Sequence, residues 1–350
     1  MRIAVLAPPY LPVPPTLYGG TEKIVSLLTE GLVQRGHDVT LFASGDSKTT
    51  AKLASIFPKA IGNSGLTKND ITKPLAHYAA CYDRASEFDI IHSHGQYVSL
   101  KGALGVKTPV VFTWHGSFYS GETTDELRTQ LHAHKEFNFI SISHNQRGGL
   151  PDLTYVATVY NALNISEYTY VPQRNQDYLL WVGRMSPKKG AHEAIMAAKK
   201  SGIRLEMAAT IDPINREYFE NTIKPLIDGV TVVYHGEVGH DALVELYGGA
   251  RAVLYPISWH EPFGLVMIES MACGTPVIAY DLGSVSEVIS DGVTGFVVPS
   301  DSGVDGIVGA IINIKQIDRK TCRSYVEERF TSERMVSEYE MAYEKVIAGL

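Results

Sequence analysis

Short apolar runs alternate with helical segments along the first half of the chain, and this alternation is the feature that most restricts its fold. The runs are rich in β-branched residues and have no polar face, which is typical of strands covered on both sides of a sheet. They lie at Ile3–Ala7, Val39–Ser44, Ile90–His94, Val110–Trp114 and Phe139–Ser143. Residues 22–29 carry apolar side chains at helical spacing, and that helix is expected to end near Gly36. Strand, helix, strand is the βαβ order of a parallel sheet.

The same alternation starts again in the second half. Six strands are predicted there, at Tyr178–Gly183, Leu205–Ala209, Val230–Tyr234, Ala252–Tyr255, Val277–Tyr280 and Gly295–Val298. The polar stretch at 171–177 is interpreted as a linker, and residues 332–350 predict one amphipathic helix with no strand after it. The sequence therefore predicts an α/β protein of two Rossmann-like domains, 1–170 and 171–331. Their parallel sheets are expected to face each other across a ligand-binding cleft.

Composition restricts the classes of partner and the compartment. The net charge of −7 is uneven, with +1 over residues 1–165 and −8 over the rest, and it argues against a nucleic-acid partner. No stretch approaches the roughly 20 apolar residues that span a bilayer, and no signal-peptide pattern is present. The three cysteines are far apart and form no CxxC pair, so we expect a cytoplasmic protein. Association with a membrane surface stays open, although no basic amphipathic helix supports it.

Two glycines open the first predicted helix. Gly19 and Gly20 allow the backbone to approach a phosphate, and a helix start offers N–H groups with partial positive charge. The pattern differs from the GxGxxG fingerprint, so no nicotinamide cofactor is inferred. A plain turn with Thr21 as the N-cap explains the same residues, and both interpretations stay open.

A basic loop follows the first strand of the second half. Arg184 is expected at the end of that strand, and Lys189 lies just before a helix that begins near Gly190. Two cations on a strand-to-helix loop are well placed to hold a diphosphate, since arginine binds it in a bidentate manner and lysine as a point charge. A solvated charged loop is the alternative interpretation.

The segment at 261–269 is the most specific one. Pro262 and Gly264 predict a helix start, whose free amides at 264–266 can receive a phosphate. A phosphate-bearing ligand is therefore expected to contact this segment, at Phe263, Gly264, Leu265 and Val266. Glu269 lies about 7.5 Å further along the helix, within reach of ribose hydroxyls, while Glu261 stands before the helix and is expected on the sugar side. Two solvent-exposed glutamates at a helix start are the alternative.

These residues resemble a known family. Glu261 and Glu269 form the E-x7-E signature of family 4 retaining glycosyltransferases, a large group with the GT-B fold. The resemblance covers essentially the whole chain. Its further motifs are, in order, Tyr18–Glu22, Arg35–Val39, His92–His94, Thr113–Gly116, Gly183–Arg184, Lys188–Gly190, Ala272–Val277 and Asp291–Gly295. It also implies that the helix at 332–350 packs back on the first domain.

The resemblance implies a role for each matched position. The Gly20 backbone and the side chains of Arg184 and Lys189 would contact the donor diphosphate. The amides of Gly264 and Leu265 would bind phosphate or sugar, Glu261 the sugar hydroxyls and Glu269 the ribose. His115 would lie near the transferred sugar, and the backbone around Val238 would hold the base. The implied substrates are a nucleoside-diphosphate sugar and a hydroxyl-bearing acceptor.

The family transfers the sugar with retention of anomeric configuration, and no metal or other cofactor is expected for it here. Preorganised cations and amides stabilise charge on the departing diphosphate without reorganisation. The sequence contains no Asp-x-Asp, which agrees with a metal-independent site. The leaving phosphate is a candidate proton acceptor, and no general base is assigned.

Several polar residues of the first half stay ambiguous. His92, His94 and His115 are residues of a type that often binds metal ions, but no carboxylate partner is identifiable for them. His94 is therefore interpreted as a contact to the sugar donor or to the acceptor substrate. His144 follows a strand end and is a second acceptor candidate, with a polar loop as the alternative. Asn161 is expected to contact the donor, although Ala162 and Asn164 replace a glycine and an acid that relatives usually have. This departure puts the local turn in doubt.

Two other functions compete with sugar transfer. A GT-B-type epimerase or hydrolase would turn over the donor without an added acceptor. A non-catalytic sugar-nucleotide-binding protein would have lost Glu261, His115 or the basic pair, and all of these are present.

Overall fold

The computed structural model describes residues 1–62, 71–95, 97–173 and 176–349. The chain divides into two compact units, one of residues 1–162 with 332–350 and one of residues 163–331. The border lies eight residues before the predicted one at 170/171. Residues 163–170 join the second unit because the Leu163 N–H donates to Phe330 O at 2.9 Å and Arg323 donates to Tyr168 O at 2.6 Å. Arg174 and Asn175 of the predicted linker, and the terminal Leu350, lie outside the described residues.

The first unit contains one parallel sheet. The strands that the structure describes in it are β1 Arg2–Leu6, β2 Asp38–Phe42, β3 Lys52–Ala54, β4 Ile90–Ser93, β5 Val110–Thr113, β6 Asn138–Ser141 and β7 Tyr155–Thr158. Their order is β3-β2-β1-β4-β5-β6-β7, and every pairing is parallel. The helices among them are α1 Gly20–Gln34, α2 Thr72–Tyr82, α3 Tyr97–Gly102, α4 Asp125–Ala133 and α5 His144–Gly148.

Five of these strands match the predicted apolar runs, while β3 and β7 were not predicted. Both are edge strands with no fully buried residue. Because the side chains of both strands are at most partly buried, they need no continuous apolar run, and the periodicity signal is weak.

The second unit repeats the architecture. Its described strands are β8 Tyr178–Arg184, β9 Arg204–Thr210, β10 Val232–Tyr234, β11 Ala252–Tyr255, β12 Val277–Tyr280 and β13 Gly295–Val298. They form a parallel sheet of order β10-β9-β8-β11-β12-β13. The helices are α6 Ala191–Ser201, α7 Arg216–Tyr218, α8 His240–Gly249, α9 Leu265–Ala272, α10 Val285–Val288, α11 Gly303–Asn313 and α12 Arg319–Arg329. The predicted α/β fold with two Rossmann-like units is thus confirmed.

The last helix, α13 (Ser332–Ile347), belongs to the first unit. It packs closely against α1, where a Cβ on Gly31 would lie 2.5 Å from Val336 Cγ2. Its buried face carries Tyr339 and Tyr343, both fully buried. Two aromatic side chains of the chain terminus therefore reach the interior beside the sheet of the first unit. None of the helices in the described ranges is long and apolar enough to cross a membrane.

In each sheet there is one point where the strand order reverses, and two neighbouring strands have their carboxyl ends on either side of it. In the first unit these are β1 and β4, and in the second β8 and β11. Loops that leave the carboxyl ends of such strands run to opposite faces of the sheet and leave a crevice. Most of the predicted site residues lie at or after the carboxyl ends of these strands and of the strands beside them, whereas His144, Asn161 and Val238 follow β6, β7 and β10.

Candidate active site

Lys189 and Glu261 form an ion pair in the second unit. The distance from Lys189 Nζ to Glu261 Oε2 is 2.5 Å. The same carboxylate oxygen accepts a hydrogen bond from the Tyr255 hydroxyl at 2.6 Å and one from Trp259 Nε1 at 3.1 Å. Lys189 Nζ also lies 4.8 Å from the ring centroid of Trp259, so the ammonium contacts both a carboxylate and an aromatic face. Three donors thus converge on Oε2.

The topology explains this pairing. Lys189 ends a single 3-10 turn after β8, and Glu261 lies on the loop after β11, the strand next to β8. The two loops touch closely: a Cβ on Gly190 would lie 1.9 Å from Pro256 O, and Ser258 N–H donates to Lys188 O at 3.0 Å. Gly190 has φ 71°, a conformation that glycine adopts without strain. Glycine is therefore required there to bring Lys189 to Glu261.

The pair is largely buried. The sequence left open a solvated basic loop and a solvent-exposed Glu261, but only 14% of Lys189 and 9% of Glu261 are exposed. The reason is the cover that Tyr255 and Trp259 provide. Tyr255 was not predicted in the site, because an aromatic residue at a strand end is most often part of the core. For Trp259 the sequence left two interpretations open, a wall of the sugar pocket or simple packing.

The start of α9 has the geometry that the sequence predicted. Gly264 is the N-cap residue with φ 81°, and the half-buried Leu265 and Val266 form the first turn. Since the first amides of a helix have no intrahelical acceptor, this end can receive an anion. Phe263 differs from the prediction, because its side chain is 1% exposed and packs against Phe330 at 5.9 Å between ring centroids. Its side chain belongs to the core.

Glu269 is buried in α9 and bound by two tyrosines. Its Oε1 accepts from the Tyr168 hydroxyl at 3.1 Å and its Oε2 from the Tyr247 hydroxyl at 2.9 Å. Burial raises the pKa of both tyrosines far above the ordinary range, so they act as neutral donors. The sequence predicted Glu269 as a ribose ligand but gave no indication of this clamp. Tyr168 and Tyr247 lie 101 and 22 positions away along the chain.

Arg184 and Val238 occupy the rim of the second sheet. Arg184 is the last residue of β8, and its side chain, 44% exposed, lies 3.5 Å from Asp212 Oδ2. Asp212 follows β9, the other neighbour of β8, and was not predicted in the site. Val238 lies half-buried on the loop between β10 and α8.

In the first unit, the two glycines lie at the start of α1. Gly20 is the first helical residue, and Gly19 is the N-cap. A Cβ on Gly19 would lie 2.7 Å from Pro15 Cβ, so this position leaves no room for a side chain. Glu22 in the same turn is buried, which raises the pKa of its carboxyl group. The helix start therefore combines a backbone that an anion can approach with a desolvated carboxyl group.

Three histidines form a chain in the first unit. His94 Nδ1 lies 2.9 Å from His115 Nε2, and the ring of His92 packs on His94 with 4.0 Å between centroids. The strands explain the contact, since His94 follows β4 and His115 follows its neighbour β5. His92 and His94 are buried, whereas His115 is half-buried. Burial lowers the pKa of His92 and His94 well below the ordinary value and that of His115 to about 4, so all three are neutral at pH 7.

The two remaining predicted residues of this unit differ in exposure. His144 is exposed at the start of α5, with its ring 6.1 Å from that of Tyr160. Asn161 is 5% exposed, and its Oδ1 is buried with no hydrogen-bond partner in the described part of the chain. An unsatisfied buried acceptor is costly and is typical of an atom that a ligand satisfies.

Two protein-family models match the chain, and together they span residues 18–329. The model described as Glycosyltransferase Family 4 matches residues 18–170. The model described as Glycosyl transferases group 1 matches residues 170–329. Their junction at residue 170 lies eight residues after the border of the two units at 162/163.

Relatives of similar length cover nearly the whole chain. A glycogen synthase from Mycobacterium tuberculosis is 24% identical over 383 residues, which cover 95% of this chain and 91% of that protein. An alpha-maltose-1-phosphate synthase from the same organism is 26% identical over 390 residues, covering 98% and 96%.

Solved structures share the fold. A sucrose-phosphate synthase from Thermosynechococcus elongatus superposes with a TM-score of 0.81 at 21% identity, over all of both chains. The Anabaena protein HepE, in complex with UDP and glucose, gives a TM-score of 0.78 at 17% identity, over 99% of this chain and all of that one.

Proposed function

Because the chain belongs to the group 1 glycosyltransferases of family 4, we propose that it moves a sugar from a nucleoside-diphosphate sugar to a hydroxyl acceptor. The reaction breaks the bond between the anomeric carbon and the diphosphate oxygen and forms one from that carbon to the acceptor oxygen. It proceeds with retention of configuration and without a metal ion.

The observation that carries this proposal is the Lys189–Glu261 pair beside the start of α9. The chemical problem of the reaction is the negative charge that develops on the departing diphosphate. A fixed ammonium and preorganised helix amides stabilise such charge most effectively where little water competes. Lys189 is largely buried, so its field on a nearby phosphate is weakly screened.

Glu261 is proposed to orient both the lysine and the sugar. Its Oε2 accepts from Lys189, Tyr255 and Trp259, whereas Oε1, to which no side chain of the described residues donates, would accept a sugar hydroxyl. A carboxylate that is held on one oxygen presents the other in a fixed direction, and such positioning lowers the barrier by preorganisation.

Arg184 supplies a second cation. Its ion pair with Asp212 is long and partly exposed, and pairs of this kind contribute little to stability. A phosphate group can therefore replace the Asp212 carboxylate on the guanidinium at small cost, with bidentate geometry. An oxygen of the departing diphosphate is proposed to take the proton of the attacking hydroxyl group.

Glu269 is proposed as the ribose ligand. The Tyr168 and Tyr247 hydroxyls each hold one oxygen of this carboxylate, so they fix its orientation. Ribose hydroxyls would donate to the carboxylate that the two tyrosines orient. A uridine diphosphate sugar is the first donor to test, since the fold neighbour HepE binds UDP and glucose.

The test is sugar transfer with a panel of uridine, guanosine and adenosine diphosphate sugars, in EDTA and in magnesium. We expect one donor to give nucleoside diphosphate and a glycoside in equal amounts, equally well in EDTA. The anomeric proton coupling of the product, read by NMR, reports retention. A free sugar or an epimer as the main product without an acceptor would favour the hydrolase or epimerase. Binding without turnover would favour a non-catalytic protein.

A further inference from the structure

The C-terminal helix is connected to His115 through a continuous chain of side chains. The Tyr343 hydroxyl lies 2.6 Å from His92 Nδ1, and Thr113 Oγ1 lies 2.8 Å from His92 Nε2. The ring of His92 packs on His94, and His94 Nδ1 contacts His115 Nε2 at 2.9 Å. Both ring nitrogens of His92 are thus held, which fixes the plane against which His94 rests. The chain runs from a buried helix to the half-buried His115.

The contact between His94 and His115 contains a single proton. Both rings are neutral, so each has one N–H group and one lone pair. In the first arrangement His94 Nδ1–H donates to His115 Nε2. In the second, His115 Nε2–H donates to His94 Nδ1, and the proton of His94 must then be on its Nε2.

The surroundings of His94 distinguish these arrangements. Its Nε2 is buried and has no hydrogen-bond partner among the residues that the structure describes. The second arrangement would leave an N–H donor unsatisfied there, whereas the first leaves only a lone pair. Buried N–H groups without an acceptor are rarer than acceptors without a donor. The first arrangement is therefore the more stable one.

We propose that His94 is a positioning residue that donates its Nδ1–H to His115 Nε2, and so fixes His115 as the tautomer that presents an Nδ1–H to the substrate. His115 then acts toward the sugar or the diphosphate as a hydrogen-bond donor. Nε2, the nitrogen that has the lone pair, is occupied by His94, so the ring is not the base that deprotonates the acceptor. The catalytic part of this inference rests on the proposed function, whereas the tautomer itself does not.

The tautomer can be measured directly by 15N NMR of the full-length protein with labelled histidine. The His115 resonances are identified by their loss in His115→Gln. We expect a protonated Nδ1 and an unprotonated Nε2 on His115 at pH 7. In His94→Leu, which has a similar shape without a donor, we expect this pattern to change to the mixture of an unconstrained imidazole. A protonated Nε2 on wild-type His115, or an unchanged pattern in His94→Leu, overturns the proposal.

The matched variant His94→Asn separates hydrogen bonding from packing. Its amide nitrogen lies as many bonds from the backbone as Nδ1, so it can donate to His115 Nε2, and its shape is that of leucine. We expect His94→Asn to keep the His115 tautomer and a kcat roughly tenfold above that of His94→Leu, the effect of one hydrogen bond. If the wild type transfers sugar normally and the two variants have equal kcat values, the positioning role of His94 in catalysis is contradicted, whereas the tautomer of His115 is not. Absence of transfer by the wild type contradicts the proposed function and leaves the NMR test valid.

Discussion

Lys189 Nζ lies 2.5 Å from Glu261 Oε2, and the two side chains are only 14% and 9% exposed. The pair therefore brings two opposite charges together in a region from which water is largely excluded. Removing one member leaves the other as an isolated charge, and this is more costly than removing both. Its contribution to folding and its contribution to catalysis can be separated by experiment.

Lys189→Met should lower the free energy of unfolding by roughly 2–3 kcal/mol, because Glu261 keeps its charge but loses its cation. The double variant Lys189→Met/Glu261→Gln should recover part of that loss. Lys189→Met, Glu261→Gln and the double variant should all transfer sugar at a rate lower by orders of magnitude. Chemical denaturation and initial-rate kinetics measure the two effects. Additive losses of stability in the double variant would show that the ion pair does not couple the residues.

The tyrosine clamp on Glu269 gives a test of ribose recognition. Wild-type protein should bind a nucleoside diphosphate at least tenfold more tightly than its 2′-deoxy form, the equivalent of about 1.4 kcal/mol. Glu269→Gln should bind both forms equally. Tyr247→Phe should weaken binding of the ribose form without changing the fold, since it removes one hydroxyl that holds the carboxylate. Calorimetry measures each of these affinities. Undiminished discrimination in Glu269→Gln would place the ribose elsewhere.

The glycine that brings the basic loop to Glu261 can be tested with a matched control. Gly190 and Gly202 have similar backbone conformations, with φ 71° and 68°, so alanine costs about 1–2 kcal/mol of strain at either position. Only at Gly190 would the new Cβ meet another atom, Pro256 O at 1.9 Å; at Gly202 the space is open. Gly190→Ala should therefore lose more stability than Gly202→Ala and most of its transfer activity. Equal stability and equal transfer activity of the two variants would mean that the loop at Gly190 can shift without loss of folding or activity.

The buried histidines predict how stability depends on pH. His92 has a pKa well below 6.5 in the folded state because it is desolvated, and an ordinary pKa when unfolded. As the pH falls below about 6.5, the unfolded state binds more protons, so the free energy of unfolding decreases by up to about 1.4 kcal/mol per pH unit for each such histidine. Above that pH the contribution is constant.

The variant His92→Gln isolates this contribution. It should lose the most stability relative to wild type at pH 8, and the difference should shrink toward pH 5, as measured by urea denaturation at each pH. A difference that is the same at pH 8 and pH 5 would mean that His92 is protonated equally in both states.

Much of the fold follows from the sequence because parallel strands that are covered on both faces must be apolar throughout. The predicted strands at Ala252–Tyr255, Val277–Tyr280 and Gly295–Val298 match β11, β12 and β13 to the residue, and the others differ by one or two residues at an end. The edge strands β3 and β7 escaped prediction because they lack this signature. The glycines at 190 and 264 correctly predicted helix starts, since both have backbone conformations that favour glycine.

The sequence by itself determined the chemistry that is available: two cations, two glutamates, a glycine-led helix start and a set of histidines in the order of a sugar-transferring family. Only the tertiary structure decided which of them meet. The pairing of Lys189 with Glu261, the tyrosines on Glu269 and the contact of His94 with His115 all join residues that lie in, or follow, different strands and helices. Contacts of this kind depend on the order of strands in the sheet and on burial. Neither is encoded by local periodicity, because the residues involved are separated by 21 to 101 positions along the chain.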